Sequence, residues 1–199
     1  MAARTARERI LQKAKGRSLI AGADVNAHSQ ELTRLVRQGA LERVARGKYR
    51  IPEGPVTEHH SFAIASAVAP RAVICLLSAL AFHGIGTQVP SEVWIAIDRA
   101  SRAPAIRGLP LRVARFGGAS FREGISVHRI EGQRVQIYGV AKTIADLFKF
   151  RKKIGIDVAL EALRDAWQRR LVTMDEIDHY ARVCRVSRVM QPYLEALVL

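Results

Sequence analysis

Apolar residues in this chain recur first at helical spacing, then in alternation, and then at helical spacing again to the end. Between Thr5 and Lys15, Ala6, Ile10, Leu11 and Ala14 form one stripe, which predicts a helix stopped by Gly16. Leu19-Ile20 is a short apolar stretch, and Ala21 to Val25 reads as a brief helix ending near Asn26. A third helix is expected from His28-Ser29 to Gly39, with the Ser29 hydroxyl accepting bonds from free backbone N–H groups. On that helix Leu32, Leu35 and Val36 share a core side. Gln30, Arg34 and Arg37 fall opposite at i, i+4 and i+7, with Thr33 beside them. Leu41, Val44, Tyr49 and Ile51 then supply the apolar positions of two short strands. Their turn is expected at Arg46-Gly47, where glycine supplies a positive φ.

Pro52-Glu53-Gly54-Pro55 is turn-rich and divides the chain into domains 1–53 and 56–199. Thr57 to Val68 reads as a helix with Thr57 as N-cap. After Pro70, Val73 to His83 reads as a second helix, apolar almost all round and ended by Gly84. Val93 to Ile97 is a continuous apolar run, as in a buried strand. Leu111–Phe116, Ile125–Ile130 and Val135–Tyr138 alternate, the last two as a hairpin around residues 131–134. From Val140 onward the period is helical, over about 141–151, 155–169, 173–183 and 188–197. Thr173-Met-Asp-Glu176 is a capping box that opens the third of these. The expected fold class is α+β. It comprises an N-terminal winged helix-turn-helix, then a small α+β domain with a mixed sheet and a helical C-terminal part.

Charge changes this picture. Lys and Arg number 32 against 18 Asp and Glu, a formal net charge of +14. Residues 1–50 hold 12 basic and 4 acidic residues, a surplus of eight, which leaves +6 for the other 149. Such concentrated charge points to a polyanion partner. A helix with Arg on its outer face, followed at once by a basic hairpin, reads as a recognition helix and wing that sit on double-stranded DNA. Arg pairs bidentately with guanine and Gln with adenine, so Gln30, Thr33 and Arg34 are expected at base edges. Arg37, Arg46, Lys48 and Arg50 are expected on phosphates, and Ser29 and Arg43 complete the DNA-binding set. An ordinary solvated helix face in a merely basic protein is the competing reading.

Other chemistry finds little support. Cys75 and Cys184 lie far apart in apolar surroundings and read as buried reduced thiols. His59 and His60 would point about 100° apart on a helix and have no partner cluster, so no metal is expected. His83 reads as satisfying the last turn of its helix. Thr143 and Asp146, with Lys142 at i−4 from the Asp, read as tying a helix start to the sheet, since no Gly-rich phosphate loop precedes them. Asp98 ends a strand as a nuclease carboxylate does, but the next strand lacks a Glu-x-Lys. The chain is therefore read as a non-enzyme without cofactors. Its longest apolar run, about Ala72 to Phe82, falls short of the ~20 residues of a membrane span, and no secretory segment follows Met1, which implies a cytoplasmic protein.

The segment Gly39-Ala-Leu-Glu-Arg-Val-Ala-Arg-Gly-Lys-Tyr-Arg50 resembles the wing of AbiEi-type antitoxins, regulators of type IV toxin–antitoxin and abortive-infection operons. Leu76–Ile85, Pro90, Val93–Ile97, Lys142–Leu163 and Gln191–Glu195 are similar to later blocks of the same family. The resemblance implies a winged helix that binds the operon's own promoter at inverted repeats and represses it. It also implies a cognate nucleotidyltransferase-type toxin that the protein counteracts, directly or indirectly. The chain is short beside some relatives, which puts in doubt any neutralising role carried by their C-terminal extension. A stand-alone regulator with a ligand-sensing C-terminal domain is the alternative, with a restriction-type nuclease behind it.

Overall fold

The computed structural model describes residues 8, 10, 12, 17–25 and 27–198. The helix expected over Thr5–Lys15 lies outside them apart from Glu8, Ile10 and Gln12, which are helical. The chain forms two compact units. The first is 1–71 with 104–110 and 128–135, and the second is 72–103, 111–127 and 136–199.

In the first unit, β1 (Leu19–Ala21), β2 (Glu42–Ala45) and β3 (Lys48–Arg50) form an antiparallel sheet in the order β1-β3-β2. Leu19-Ile20 is thus a strand, and the brief helix after it is a 3-10 turn over Gly22–Val25. Helix α1 (Ser29–Arg37) buries Leu32 and Leu35. With Ile10, Ile20, Val25, Leu41, Tyr49 and Ile51 they make one apolar core. Past Arg37, Gly39 takes φ +72° and Ala40 N–H donates to Leu35 O at 3.0 Å, which closes the helix end.

Helix α2 (His60–Val68) starts three residues later than expected. Thr57 does not cap it. Its N–H and hydroxyl instead donate to Glu131 Oε1 at 2.7 and 3.0 Å, a partner 74 residues away.

The second unit is built on a five-stranded sheet in the order β6-β5-β4-β8-β7. Its strands are β4 (Val73–Ile74), β5 (Val93–Asp98), β6 (Leu111–Phe116), β7 (Ile125–Ile130) and β8 (Gln133–Tyr138). β4 runs antiparallel to β5 and parallel to β8, while β5 and β6 are parallel in register from Val93↔Leu111 to Asp98↔Phe116. The sheet is mixed, as the expected fold class has it. The expected helix Val73–His83 splits, because Val73 and Ile74 pair with β5 and β8 and only Leu76–His83 is helical (α3). A continuous apolar run fits either state. Two β-branched residues beside a strand decided this one. The β7–β8 turn is also tighter than expected, two residues rather than four.

A short helix α4 (Ala119–Arg122) follows β6. Helices α5 (Val140–Ile154), α6 (Ile156–Gln168), α7 (Met174–Cys184) and α8 (Ser187–Val198) complete the chain. α5 packs against α3, α6 and α7. The Thr173 capping box is present, with Thr173 N–H donating to Glu176 Oε2 at 2.8 Å and Glu176 N–H to Thr173 Oγ1 at 3.3 Å. No helix among the described residues is long and apolar enough to cross a membrane.

Candidate nucleic-acid interface

The amphipathic pattern of α1 places its residues as its periodicity requires. Leu32 and Leu35 are inside, Val36 is half-buried, and Ser29, Gln30, Thr33, Arg34 and Arg37 are exposed. The helix starts with His28 as its N-cap and Ser29 as its first turn. His28 N–H donates to Glu31 Oε2 at 3.2 Å, so the capping role assigned to Ser29 belongs one residue earlier. Thr33 Oγ1 donates to Ser29 O at 2.8 Å. Its hydroxyl proton is committed to the helix, so toward a ligand Thr33 offers its methyl group and lone pairs.

The wing follows from the same economy of pattern. Tyr49 and Ile51 are buried while Val44 is half-buried at an irregularity between Arg43 and Ala45. Gly47 sits at the turn with φ +70°, and its carbonyl accepts Gly22 N–H at 3.1 Å, which ties the wing tip to the end of β1. Arg43 and Arg46 are exposed and Lys48 is half-buried. Among the described residues Arg34, Arg37, Arg43, Arg46 and Lys48 make no ion pair. Arg50 differs. It pairs across the strands with Glu42, Nε to Oε2 at 2.8 Å, and this hydrogen bond holds the Glu42 carboxyl below its ordinary value. A phosphate would have to compete with Glu42 for Arg50.

Sequence reasoning missed Glu131. Its carboxylate is buried and accepts from Ser18 Oγ, from both Thr57 groups, and faces His60 Nδ1 at 2.7 Å. Burial pushes this acid up, but the bonds from Ser18, Thr57 and His60 outweigh it and hold the carboxyl below its ordinary value. Ser18 O accepts Ile51 N–H at 2.9 Å, so the carboxylate clasps the base of the winged sheet. The one local signal was a charged residue inside an expected hairpin turn, which ordinarily reads as solvated.

The other polar clusters are structural. Lys142, Thr143 and Asp146 are wholly buried; Lys142 Nζ meets Asp146 Oδ2 at 2.5 Å and lies 4.0 Å from the Tyr138 ring centroid. Thr143 Oγ1 reaches Tyr138 O at 3.3 Å, the helix-to-sheet tie expected of it. Burial raises the Asp146 acid despite Lys142, and it pushes the Cys184 thiol, which donates to Asp146 Oδ1 at 3.1 Å, up to about 12. His83 Nε2 lies 2.8 Å from Tyr138 O, so it bonds to β8 as well as ending its own helix. Asp98 Oδ1 accepts Ala100 N–H at 3.0 Å within a turn. Among the described residues no group of three His, Cys, Asp or Glu could hold a metal ion.

Residues 13–52, which span α1 and all three strands of the winged sheet, match the family model described as transcriptional regulator, AbiEi antitoxin. No curated protein sequence matches the chain. Among solved structures the chain is similar to the crystal structure of RV2827C protein from Mycobacterium tuberculosis. The TM-score is 0.66 at 12% identity, covering 96% of this chain and 78% of that one. At that identity the likeness concerns the fold alone. The family match falls on the segment whose geometry has just been described: residues 13–52 of this chain are similar to the transcriptional-regulator model of the AbiEi antitoxin family.

Proposed function

We propose that this protein is a DNA-binding antitoxin that represses its own operon and counteracts a nucleotidyltransferase-type toxin, acting in the cytoplasm. One observation carries the DNA reading. Gln30, Arg34 and Arg37 stand exposed on one face of α1 beside a wing whose Arg43, Arg46 and Lys48 have no acidic partner among the described residues. Unpaired cations on a rigid helix and hairpin suit a duplex, where the helix reads base edges and the wing positions it on phosphates. In this reading Gln30, Thr33 and Arg34 specify, while Arg37, Arg43, Arg46 and Lys48 position. Ser29 sits at the helix start near the backbone, and Arg50 contributes only when it leaves Glu42.

Residues 1–53 carry this role, and toxin restraint is assigned to residues 56–199. The duplex is the operon's own promoter, read at inverted repeats. The test is nuclease footprinting of the DNA upstream of the gene, together with expression of any neighbouring nucleotidyltransferase alone and beside this chain. Protected inverted repeats and toxicity relieved by this protein are expected. No protection at any upstream site would remove the repressor, and undiminished toxicity would remove the antitoxin.

A further inference from the structure

The β7–β8 hairpin turns on Glu131 and Gly132, both left-handed with φ of +50° and +77°. Two positive φ values make the type I′ turn of a two-residue hairpin. That geometry sets Ile130 opposite Gln133 and Arg129 opposite Arg134. The second pair occupies the non-hydrogen-bonded site, where opposed side chains approach most closely on one face of the ribbon. Arg129 and Arg134 are both exposed, and neither has an ion pair among the described residues. Like charges directly opposite destabilise a hairpin, yet no carboxylate among the described residues pairs with them.

The opposite face of the same tip is fixed. Ile130 and Val135 are buried, the Glu131 carboxylate takes its bonds from Ser18, Thr57 and His60, and Gln133 Nε2 donates to Leu19 O at 2.9 Å. Leu19 opens the strand that pairs with β3 of the wing, and Ser18 directly precedes it. The tip is thus part of the compact unit that contains α1 and the wing.

We propose that Arg129 and Arg134 form a phosphate clamp for the DNA backbone, gripping the duplex beyond the reach of α1 and the wing. A phosphodiester oxygen between two guanidinium groups turns their mutual repulsion into two charge-assisted hydrogen bonds. The proposal rests on the DNA reading given above. An acidic protein would satisfy the same charges, but the rigid attachment of the tip to the winged sheet favours the ligand that the sheet itself meets.

The test uses the full chain and random-sequence duplexes of about 12 and about 30 base pairs, with binding followed by fluorescence anisotropy over a salt series. Replacing both residues, Arg129→Gln with Arg134→Gln, should lower the slope of log K against log salt by about two on the long duplex. On the short one it should change nothing. Arg134→Glu should weaken binding to the long duplex while leaving the melting temperature unchanged or higher, since it creates a cross-strand ion pair. An unchanged slope in the double variant overturns the clamp, and so does an Arg134→Glu protein that loses stability and binding together. A wild-type chain that binds neither duplex overturns the DNA reading itself, a distinguishable failure.

Discussion

Arg34 and Arg46 are both exposed arginines without acidic partners among the described residues, yet they are expected to fail differently when removed. Arg34 projects from a helix that can enter the major groove, so Arg34→Ala should cost about 1–3 kcal/mol and relax preference at one base pair. Arg46 flanks the wing turn, so Arg46→Ala should weaken all sequences alike and reduce the salt slope by about one unit. Titrating each variant with specific and random duplexes separates them, and equal losses on both would refute this division. Glu131 is the residue on which acid should act. Its folded carboxyl lies below the unfolded value of about 4.3, so its contribution is present above that pH and is lost as pH falls through the folded value. Glu131→Gln should cost about 1.5–3 kcal/mol at neutral pH and flatten the acid limb of the stability curve, as read by denaturant melts from pH 7 to 3.

At the level of elements, what could be read in the chain tracks how local the deciding forces are. Helix α1 and the wing announce themselves because amphipathic spacing, a positive-φ glycine and the buried Tyr49 all lie within about 25 residues. The strand β4 does not, because its two residues pair with strands far along the chain and their apolar neighbours are equally at home in a helix. Thr57 looked like a helix cap for the same reason, since its true partner is remote. The β7–β8 turn was hidden more deeply. A type I′ turn favours Asn or Gly at its first central position, and Glu there is tolerated because its carboxylate is tied to three other residues. The wing turn obeys the ordinary rule, so Gly47→Ala should strain a φ of +70° by roughly 1 kcal/mol. Wing contacts should weaken with it. A thermal melt and a binding curve on the same sample check both halves of that statement.

For the molecule as a whole, two compact units imply two separable kinds of damage. The buried Lys142–Asp146 pair sits in the second unit, on α5 among Tyr138, Phe116 and Cys184. Lys142→Met removes the cation and leaves a buried carboxylate, which should cost about 3–5 kcal/mol and lower the melting temperature by on the order of 10 °C. Adding Asp146→Leu should restore part of that loss, because an apolar pair of similar volume requires no desolvation. Neither change touches α1 or the wing, so DNA affinity well below the melting temperature should remain at the wild-type level. A variant that is folded yet no longer binds DNA would show that the two roles share more than a chain.

The Glu131 clasp carries a practical consequence for anyone who wishes to transplant the reading head. A fragment cut after the wing keeps the side chains of α1 and the wing that are proposed to meet the duplex. It leaves behind the distant turn that accepts the Ser18 hydroxyl and steadies the approach to the first strand. A graft that carries the turn along, joined through a short linker in place of the intervening sheet, would hand the borrowed head its own brace.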